Sequence, residues 1–239
     1  MERFGNFSSS SIHKLCEGEK GFIKSGLTYI REVSYEKELL RPLGNEANSK
    51  ETMWGNLCEP IAFNILGLEY KLVSKERIEH KSIPNWNGMP DNTRIDGIKK
   101  IVGDTKCPFT LKSFVSQIKA HKKGLETFKK EFPEYYWQLV SNAILTGSTH
   151  IESIIYVPYK SELDNIRAIA LKNSDYRFIE YMYDNQLPYL LDGGKYKNIN
   201  TFVYGLPIDD IAFLEKRVKM ANIELNTHLR NDIWRNTNN

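Results

Sequence analysis

The chain has 239 residues, of which 41% are hydrophobic and 12% aromatic, enough apolar material for a buried core within one domain. Its 33 Lys and Arg nearly balance 30 Asp and Glu, and a net charge of +3 is too small to identify a nucleic-acid binder by bulk charge. The three cysteines are odd in number and far apart, which argues against a disulfide framework and favours a reducing, cytoplasmic setting.

The amino terminus and the overall hydropathy argue against export and membrane insertion. Residues 1–14 are polar and lack the apolar core of a signal peptide. The chain contains no run of about 18 apolar residues, the length that a membrane-spanning helix needs. We therefore expect a soluble protein with no membrane association, folded as one domain over residues 1–239.

The first predicted helices cover residues 26–41 and 52–66. The first is amphipathic and is stopped by Pro42 and Gly44. The second is almost entirely apolar, yet it carries Glu59 in its middle. A carboxylate is not buried in such a helix without a partner such as a metal or another cation, although a position on the helix edge, facing water, is the alternative.

The middle of the chain predicts short strands. Residues 70–73 form the first of them, and residues 84–92, dense in Pro, Asn and Gly, predict an exposed loop. Residues 93–99 and 100–105 are rich in β-branched and apolar side chains and predict a hairpin. The chemically interesting residues on this hairpin are Asp96, Asp104 and Lys106.

Helices dominate the next segment. Residues 111–130 predict a helix that is broken near Gly124, and a second helix begins at Pro133 and ends before Gly147. A strand over residues 150–159 follows, and the last predicted helix covers residues 208–226. That last helix is expected to pack against the core or against a neighbouring subunit.

The helical segment over residues 111–130 is the densest positive region of the chain. Its cations are Lys112, Lys119, Lys122, Lys123, Lys129 and Lys130. Contact with a phosphate backbone would give salt-sensitive affinity without sequence preference. A solvated helix face is the alternative, and the sequence favours neither for any single lysine.

This order of elements predicts an α/β core in which acidic side chains converge at one edge of a sheet. Asp104 and Lys106 lie on the same face of a strand, because side chains alternate with a period of two. Mg²⁺ prefers oxygen ligands and needs only one or two protein carboxylates. A D-x-K triplet taken by itself is more often a solvated ion pair.

Three segments resemble conserved motifs of one family. Residues 54–59, WGNLCE, resemble a W-G-x-x-x-E helix, and residues 104–110, DTKCPFT, resemble an E-L-K-C-P-F-T signature. Residues 136–139, YWQL, resemble a helix in which a glutamine completes the active site. Together these motifs are similar to those of the lambda-type phage exonucleases, also called YqaJ-like viral recombinases, over most of residues 1–147.

The resemblance implies a restriction-endonuclease-like PD-(D/E)xK fold, with a central mixed sheet flanked by helices, a catalytic core over about residues 50–160, and additional amino- and carboxyl-terminal helices. The catalytic set that it implies is Glu59, Asp96, Asp104, Lys106 and Gln138. The metal ligands would come from Glu59, Asp96, Asp104 and Thr105, with Mg²⁺ as the cofactor and Mn²⁺ as a substitute.

The sequence departs from the family pattern at two places. Asp104 stands where glutamate is usual, and Ile95 stands where the proline of a P-D pair is expected. A rival P-D pair occurs at Pro90-Asp91. Asp96 lies on the predicted strand and has the better spacing to Asp104, so we assign the metal to Asp96.

The amino-terminal serines resemble a segment that binds the terminal 5′-phosphate of DNA. Arg3 and Ser10 occupy the matching positions, and a guanidinium with a nearby hydroxyl makes a phosphate clamp. A helix-capping serine run beside a frayed arginine is an equal alternative. Lys112, Lys119 and Lys122 are the expected further contacts to DNA.

The resemblance implies a Mg²⁺-dependent exonuclease that digests double-stranded DNA ends 5′ to 3′ and leaves a 3′ single strand for an annealing partner protein in phage recombination. It also implies a homotrimer, and the cytoplasm of a phage-infected or prophage-carrying bacterium. Two alternatives remain at this stage. One is a PD-(D/E)xK endonuclease, and the other is a catalytically silent DNA-binding scaffold.

Overall fold

The computed structural model describes residues 4–18, 20–44, 49–73 and 76–236, with side chains described as far as residue 229. The helices are α1 (His13–Cys16), α2 (Lys24–Leu39), α3 (Lys50–Ile65), α4 (Leu111–Lys123), α5 (Leu125–Glu131), α6 (Pro133–Thr146), α7 (Leu163–Ala170), α8 (Arg177–Glu180) and α9 (Ile208–Asn236). The strands are β1 (Phe7–Ser8), β2 (Lys71–Leu72), β3 (Ile78–Glu79), β4 (Trp86–Gly88), β5 (Asn92–Asp96), β6 (Lys99–Lys106), β7 (His150–Tyr156) and β8 (Ile199–Gly205).

A five-stranded mixed sheet in the order β2-β5-β6-β7-β8 forms the centre of the molecule. β5 and β6 are antiparallel, β6 and β7 are parallel, and β8 is antiparallel to β7. Parallel neighbours need a long crossover connection, which α4, α5 and α6 supply. A smaller sheet in the order β1-β4-β3 lies beside it. The predicted α/β class, with a central mixed sheet flanked by helices, is confirmed.

The hairpin of β5 and β6 confirms the two strands predicted there. Its turn contains Gly97, whose φ of +57° is a conformation that glycine adopts without steric cost. Farther along, Gly103 faces Asn92 across the pair, and a Cβ at this glycine would lie 2.3 Å from Asn92 Oδ1. A side chain at residue 103 would therefore push the two strands apart immediately beside Asp104.

The ends of α3, α4 and α6 carry residues that are typical of helix termini. Ser49 caps α3 by accepting from the amide of Thr52, and Thr110 caps α4 by accepting from the amide of Ser113 at 3.1 Å. α4 and α5 are separated at Gly124, which has a φ of +110°. α6 carries Pro133 in its first turn and ends at Gly147 in the left-handed region. The predicted break and both predicted ends are confirmed.

The exposed loop predicted over residues 84–92 is wrong in its centre. Trp86–Gly88 is a buried strand, and Trp86 is 1% exposed. Its indole Nε1 donates to Ser141 Oγ at 2.8 Å, and its ring stacks on His80 at 4.7 Å. Pro, Asn and Gly thus mark the two ends of this segment, while the tryptophan between them anchors it in the core.

The carboxyl-terminal helix α9 is longer than predicted and extends to Asn236. Its buried side chains Leu214, Val218, Ala221 and Leu225 join the main hydrophobic cluster. Arg217, 2% exposed, donates to the carbonyl oxygens of residues 15, 17 and 21. The helix therefore packs against the core of its own chain and ties it to the amino-terminal segment.

Candidate active site

Asp104 and Lys106 meet at the carboxyl end of β6. Their side chains share one face of the strand, as the period of two requires, and Lys106 Nζ lies 2.7 Å from Asp104 Oδ2. Asp104 is 2% exposed, whereas Lys106 reaches the solvent-facing side of the site. A nearly buried carboxylate is thereby paired with a cation that remains accessible to a substrate.

Gln138 on α6 connects both members of this pair. Its Nε2 donates to Asp104 Oδ1 at 2.7 Å, and its Oε1 accepts from Lys106 Nζ at 3.0 Å. The three side chains therefore form a closed set of hydrogen bonds that fixes the orientation of the amide and of the ammonium group. The structure brings these three predicted residues together.

Lys106 is held in its charged form. Burial opposes the charge, but the carboxylates of Asp104 and Asp91 outweigh it and raise the pKa of Lys106 above its ordinary value. The ammonium group also lies 5.1 Å from the centroid of the Tyr135 ring, a favourable position for a cation. In this geometry Lys106 is a hydrogen-bond donor and a positive charge.

The structure places Asp91, and not Asp96, beside Asp104. Asp91 is one residue before the pair Asn92 and Gly103, which places it opposite Asp104, and its Oδ2 accepts from the backbone amide of Thr105 at 2.6 Å. Asp96 pairs with Lys99 at the other end of the hairpin and is exposed. The two aspartates are five positions apart along an extended strand, a distance of about 16 Å. Asp96 therefore lies outside the site that was predicted to contain it.

Negative charge is concentrated around Asp91. Burial, followed by the charges of Asp104 and Glu59, raises the pKa of the Asp91 carboxyl well above its ordinary value. The Thr105 amide and the Lys106 ammonium act in the opposite direction without cancelling the effect. Glu59, half-buried on α3, thus faces the same site, and its catalytic role stays a prediction.

These groups line a cleft of about 310 Å³. The lining of this cleft includes the acidic side chains and their hydrogen-bond partners described above, namely Glu59, Asp91, Asp104, Thr105, Lys106 and Gln138. A second cleft of about 460 Å³ adjoins it, and the two share Glu59, Thr105 and Lys106 in their walls. Glu59 and Lys106 therefore lie at the junction of two spaces open to a substrate, and Asp91 and Asp104 line the first of them.

The donor set at this junction fits a hard divalent cation. Among the described residues, no three acidic, histidine or cysteine side chains are close enough to hold a metal by themselves. Mg²⁺ needs only one or two protein carboxylates and completes its octahedron with water and phosphate oxygens. The mutual repulsion that raises the pKa of Asp91 is relieved by a cation between the carboxylates. Asp91 and Asp104 fit this role best.

The serines near the amino terminus line the first of these two clefts. Ser10 is exposed, and its hydroxyl lies 3.2 Å from that of Ser8. Arg3, the other predicted phosphate ligand, lies outside the described residues. Arg77 also lines the cleft, and its Nη1 donates to Asn87 Oδ1 at 3.4 Å. Sequence reasoning missed Arg77, which belongs to no motif that was recognised.

The predicted DNA-binding lysines lie on the outer face of α4. Lys112, Lys119 and Lys122 are exposed, while Phe114 and Ile118 on the same helix are buried. None of the three lysines lines either cleft described above. The structure therefore separates these cations from the carboxylate cluster, and their contact with DNA stays a prediction.

Lys129, on α5, has a different environment from the lysines of α4. Its Nζ lies 2.6 Å from Asp210 Oδ1, and Asp210 also accepts from the hydroxyl of Tyr136. This lysine is thus part of the contact between α5, α6 and α9. Its charge is already paired within the protein.

Three solved structures share this fold. An alkaline exonuclease from Laribacter hongkongensis, LHK-Exo, superposes with a TM-score of 0.67 and 16% identity over 99% of this chain and 95% of that chain. The same enzyme in complex with dAMP gives 0.66, also with 16% identity, 99% of this chain and 95% of that chain. A phage-related exonuclease from Haemophilus somnus gives 0.61 and 16% identity over 95% of this chain and 96% of that chain.

The sequence comparisons give two results. No curated protein matches the chain by sequence. The profile of the YqaJ-like viral recombinase domain matches residues 2–149, which include α3, the hairpin of β5 and β6, and the helix that carries Gln138. With the bonded Asp104, Lys106 and Gln138 inside the matched segment, the chain belongs to the YqaJ-like viral recombinase family.

Proposed function

We propose that this protein is a metal-dependent exonuclease that removes nucleotides from double-stranded DNA ends, 5′ to 3′, and leaves 3′ single strands for recombination. Membership of the YqaJ-like viral recombinase family supports a DNA exonuclease. The observation that carries the proposal is the closed set of Asp104, Lys106 and Gln138 with Asp91 opposite, because it joins a cation to a pair of carboxylates.

The proposed chemistry divides among these side chains. Asp91 and Asp104 would hold Mg²⁺, or Mn²⁺ in its place, with Glu59 beside them. The bound cation would supply Lewis acidity for the phosphate and a more acidic water. Lys106 donates to a phosphate oxygen or to the attacking water and stabilises the negative charge that develops, as a preorganised donor does. Gln138 keeps Lys106 and Asp104 in place.

An exonuclease requires the end of a DNA duplex to enter the cleft. Ser10, with Ser8 and Arg77 in the same lining, offers hydrogen-bond donors for a terminal phosphate beside the carboxylates. The exposed lysines of α4 would hold the following duplex through its backbone. An annealing protein as partner and a homotrimeric ring remain expectations from the family, and a closed ring would keep the enzyme on its strand.

Two alternative functions of the same site would give different products from DNA. An endonuclease of the same fold would use the same carboxylates without needing a free end. A silent scaffold would bind DNA and cut nothing. The hydrogen-bonded Asp104, Lys106 and Gln138 favour an active enzyme over the scaffold, because a scaffold has no need for this arrangement.

The experiment is digestion of linear duplex DNA that is labelled separately at each end and carries a 5′-phosphate or a 5′-hydroxyl. It is run with Mg²⁺ or with EDTA, beside a covalently closed circle. We expect Mg²⁺-dependent, progressive loss from the 5′ ends with the circle intact. Cutting of the circle would identify an endonuclease, and no cutting of any substrate would identify the scaffold.

A single substitution at Lys106 tests whether the cleavage activity belongs to this site. Lys106→Ala removes the donor to the phosphate and should abolish cleavage while DNA binding persists, since the contacts to the duplex backbone are elsewhere. Binding is measured by the mobility of an end-labelled duplex in EDTA. Wild-type turnover in this variant would refute the site.

A further inference from the structure

A buried ion pair lies behind the candidate active site, on the opposite face of the central sheet. Glu152 on β7 is fully buried, and its two carboxylate oxygens accept from the guanidinium of Arg94 on β5, at 2.9 and 3.0 Å. The hydroxyl of Tyr70 donates to the same carboxylate at 3.0 Å, and its ring centroid lies 5.2 Å from the guanidinium carbon. These three side chains form a rear clamp.

The rear clamp joins two strands that are not neighbours in the sheet. β6 lies between β5 and β7, and the register pairs Arg94 with Ile101 and Glu152 with Gly103. Because side chains alternate along a strand, the clamp lies on the face of Ile101 and Gly103, and Asp104 lies on the other face. The clamp therefore ties β5 to β7 directly behind Asp104.

Stability alone does not explain why these charges are buried. Each ion loses its hydration on burial, and replacement of a buried ion pair by apolar residues of similar volume is often neutral or stabilising. The strand that the clamp holds has little other support on its outer side. β2 pairs with β5 only at Asn92 and Thr93, so within the described residues the outer edge of β5 has no strand partner beyond Thr93.

The same strand begins beside a carboxylate that is held against other negative charges. Asp91 lies opposite Asp104, and the charges of Asp104 and Glu59 repel its ionised form. This repulsion acts to separate the start of β5 from β6 until a cation binds between the carboxylates. A tie from β5 to the centre of the sheet resists that separation.

We propose that Arg94 and Glu152 are positioning residues, which hold β5 against the sheet and thereby keep Asp91 and Asp104 at the spacing that a divalent cation needs. The proposal rests on the proposed function, because that function makes these carboxylates the metal ligands. In this role neither residue of the ion pair contacts the cation or DNA. Residues that hold metal ligands in place raise the affinity for the metal, because the site needs no rearrangement when the metal binds.

The test replaces the ion pair by apolar residues of similar volume, Arg94→Met together with Glu152→Leu. Because both partners are removed, no unpaired charge stays buried, and we expect the Tm of this double variant in EDTA to remain near the wild-type value. Its affinity for Mg²⁺, measured by calorimetric titration of the full chain, should fall about tenfold. A folded double variant that binds Mg²⁺ as tightly as wild type would overturn the proposal.

Hydrogen exchange of the Thr105 amide reports the position of Asp91 without metal, because this amide donates to Asp91 Oδ2. In EDTA the amide should exchange about fivefold faster in the double variant, the effect of one weakened hydrogen bond. The amide of Ile154, which pairs with Thr105 on β7, is the internal reference and should keep its rate. Equal Thr105 rates in the two proteins would show that the clamp does not position Asp91.

Leu225→Ala is the control for a loss of stability that leaves the clamp intact. Leu225 is buried on α9 and lines neither of the two clefts. This variant should unfold at a lower temperature and bind Mg²⁺ with wild-type affinity. A tenfold loss of Mg²⁺ affinity here as well would assign the effect to general instability and overturn the proposal.

Arg94→Lys keeps the proposal testable if the double variant does not fold. Lysine retains the charge but lacks the planar fork that bonds both oxygens of Glu152, so Thr105 exchange should be faster and Mg²⁺ binding weaker than in wild type. Wild-type behaviour in both measurements would refute the role of the clamp. Wild-type protein that digests no DNA would overturn the exonuclease, and the Thr105 exchange rates would still decide whether the clamp positions Asp91.

Discussion

Exchange of single aspartates for asparagine tests which carboxylate of the hairpin belongs to the metal site. Asp91→Asn and Asp96→Asn are a matched pair, because both remove one negative charge from the same segment. Asp91 lies opposite Asp104 and bonds the Thr105 amide, whereas Asp96 is exposed at the far end. We expect Asp91→Asn to lose nuclease activity by about 100-fold or more and Asp96→Asn to keep it.

The first quantity to compare is the Tm of each protein without metal. Burial and the neighbouring carboxylates raise the pKa of Asp91, so its ionised form is disfavoured in the folded protein. Asparagine resembles the protonated acid, and Asp91→Asn without metal should therefore unfold at the wild-type temperature or above it. Loss of activity in this variant would then not be loss of folding.

The second quantity to compare is the rise in Tm when Mg²⁺ is added. A ligand at about 100 times its Kd stabilises the folded state by about 2.7 kcal/mol. For a chain of 239 residues this is a rise in Tm of about 5–11 °C, since each kcal/mol moves Tm by about 2–4 °C. Wild-type protein and Asp96→Asn should show the rise, and Asp91→Asn should show little of it.

The assay is thermal unfolding of the three proteins in EDTA and in Mg²⁺, together with digestion of linear duplex. Metal stabilisation that is lost in Asp96→Asn and kept in Asp91→Asn would refute the reasoning. It would mean that the hairpin places its carboxylates differently when a metal is bound.

Three other perturbations probe the rest of the molecule. Glu152→Gln should lower the free energy of unfolding by about 3 kcal/mol in urea titrations, because Glu152 is buried and accepts two bonds from Arg94, which the neutral amide cannot balance. Burial lowers the pKa of His121 to about 4, so stability present above pH 6.5 should fall as the pH drops towards 4, and His121→Gln should weaken this acid dependence in urea titrations at several pH values. Lys119→Ala should reduce the slope of log DNA affinity against log salt by about one, and an unchanged slope would place this exposed lysine outside the DNA interface.

Much of the fold was predictable because local rules and tertiary contacts agree. The cap at Thr110, the break at Gly124 and the stop at Gly147 each follow from backbone preferences that the surroundings do not override. Trp86 is the exception. Its neighbours Pro84 and Asn85 are typical of a loop, but the tryptophan ring packs into the main hydrophobic cluster, and Ser141 on α6 accepts its indole N–H.

Site residues could be predicted from the sequence where they lie close together along the chain or within a motif. They could not be predicted where the pairing of two strands determines which side chains meet. Asp104 and Lys106 follow from the period of a strand, and Gln138 follows from its motif. The choice between Asp91 and Asp96 depends on which residue faces Asp104, and the register of the hairpin sets this. The proline before Asp91 was the available signal, and strand spacing outweighed it.

The bonds of Arg217 have a consequence for how the protein is made. A ribosome delivers the amino-terminal serines long before α9, yet the guanidinium on α9 holds the carbonyl oxygens of Glu17 and Gly21 at 2.7 and 2.9 Å. A nascent chain would therefore carry Asp104 of β6 well before the segment beside Ser10 is tied to α9. The amino-terminal segment, which includes the serines of the cleft, can therefore take its final place only after α9 has been synthesised.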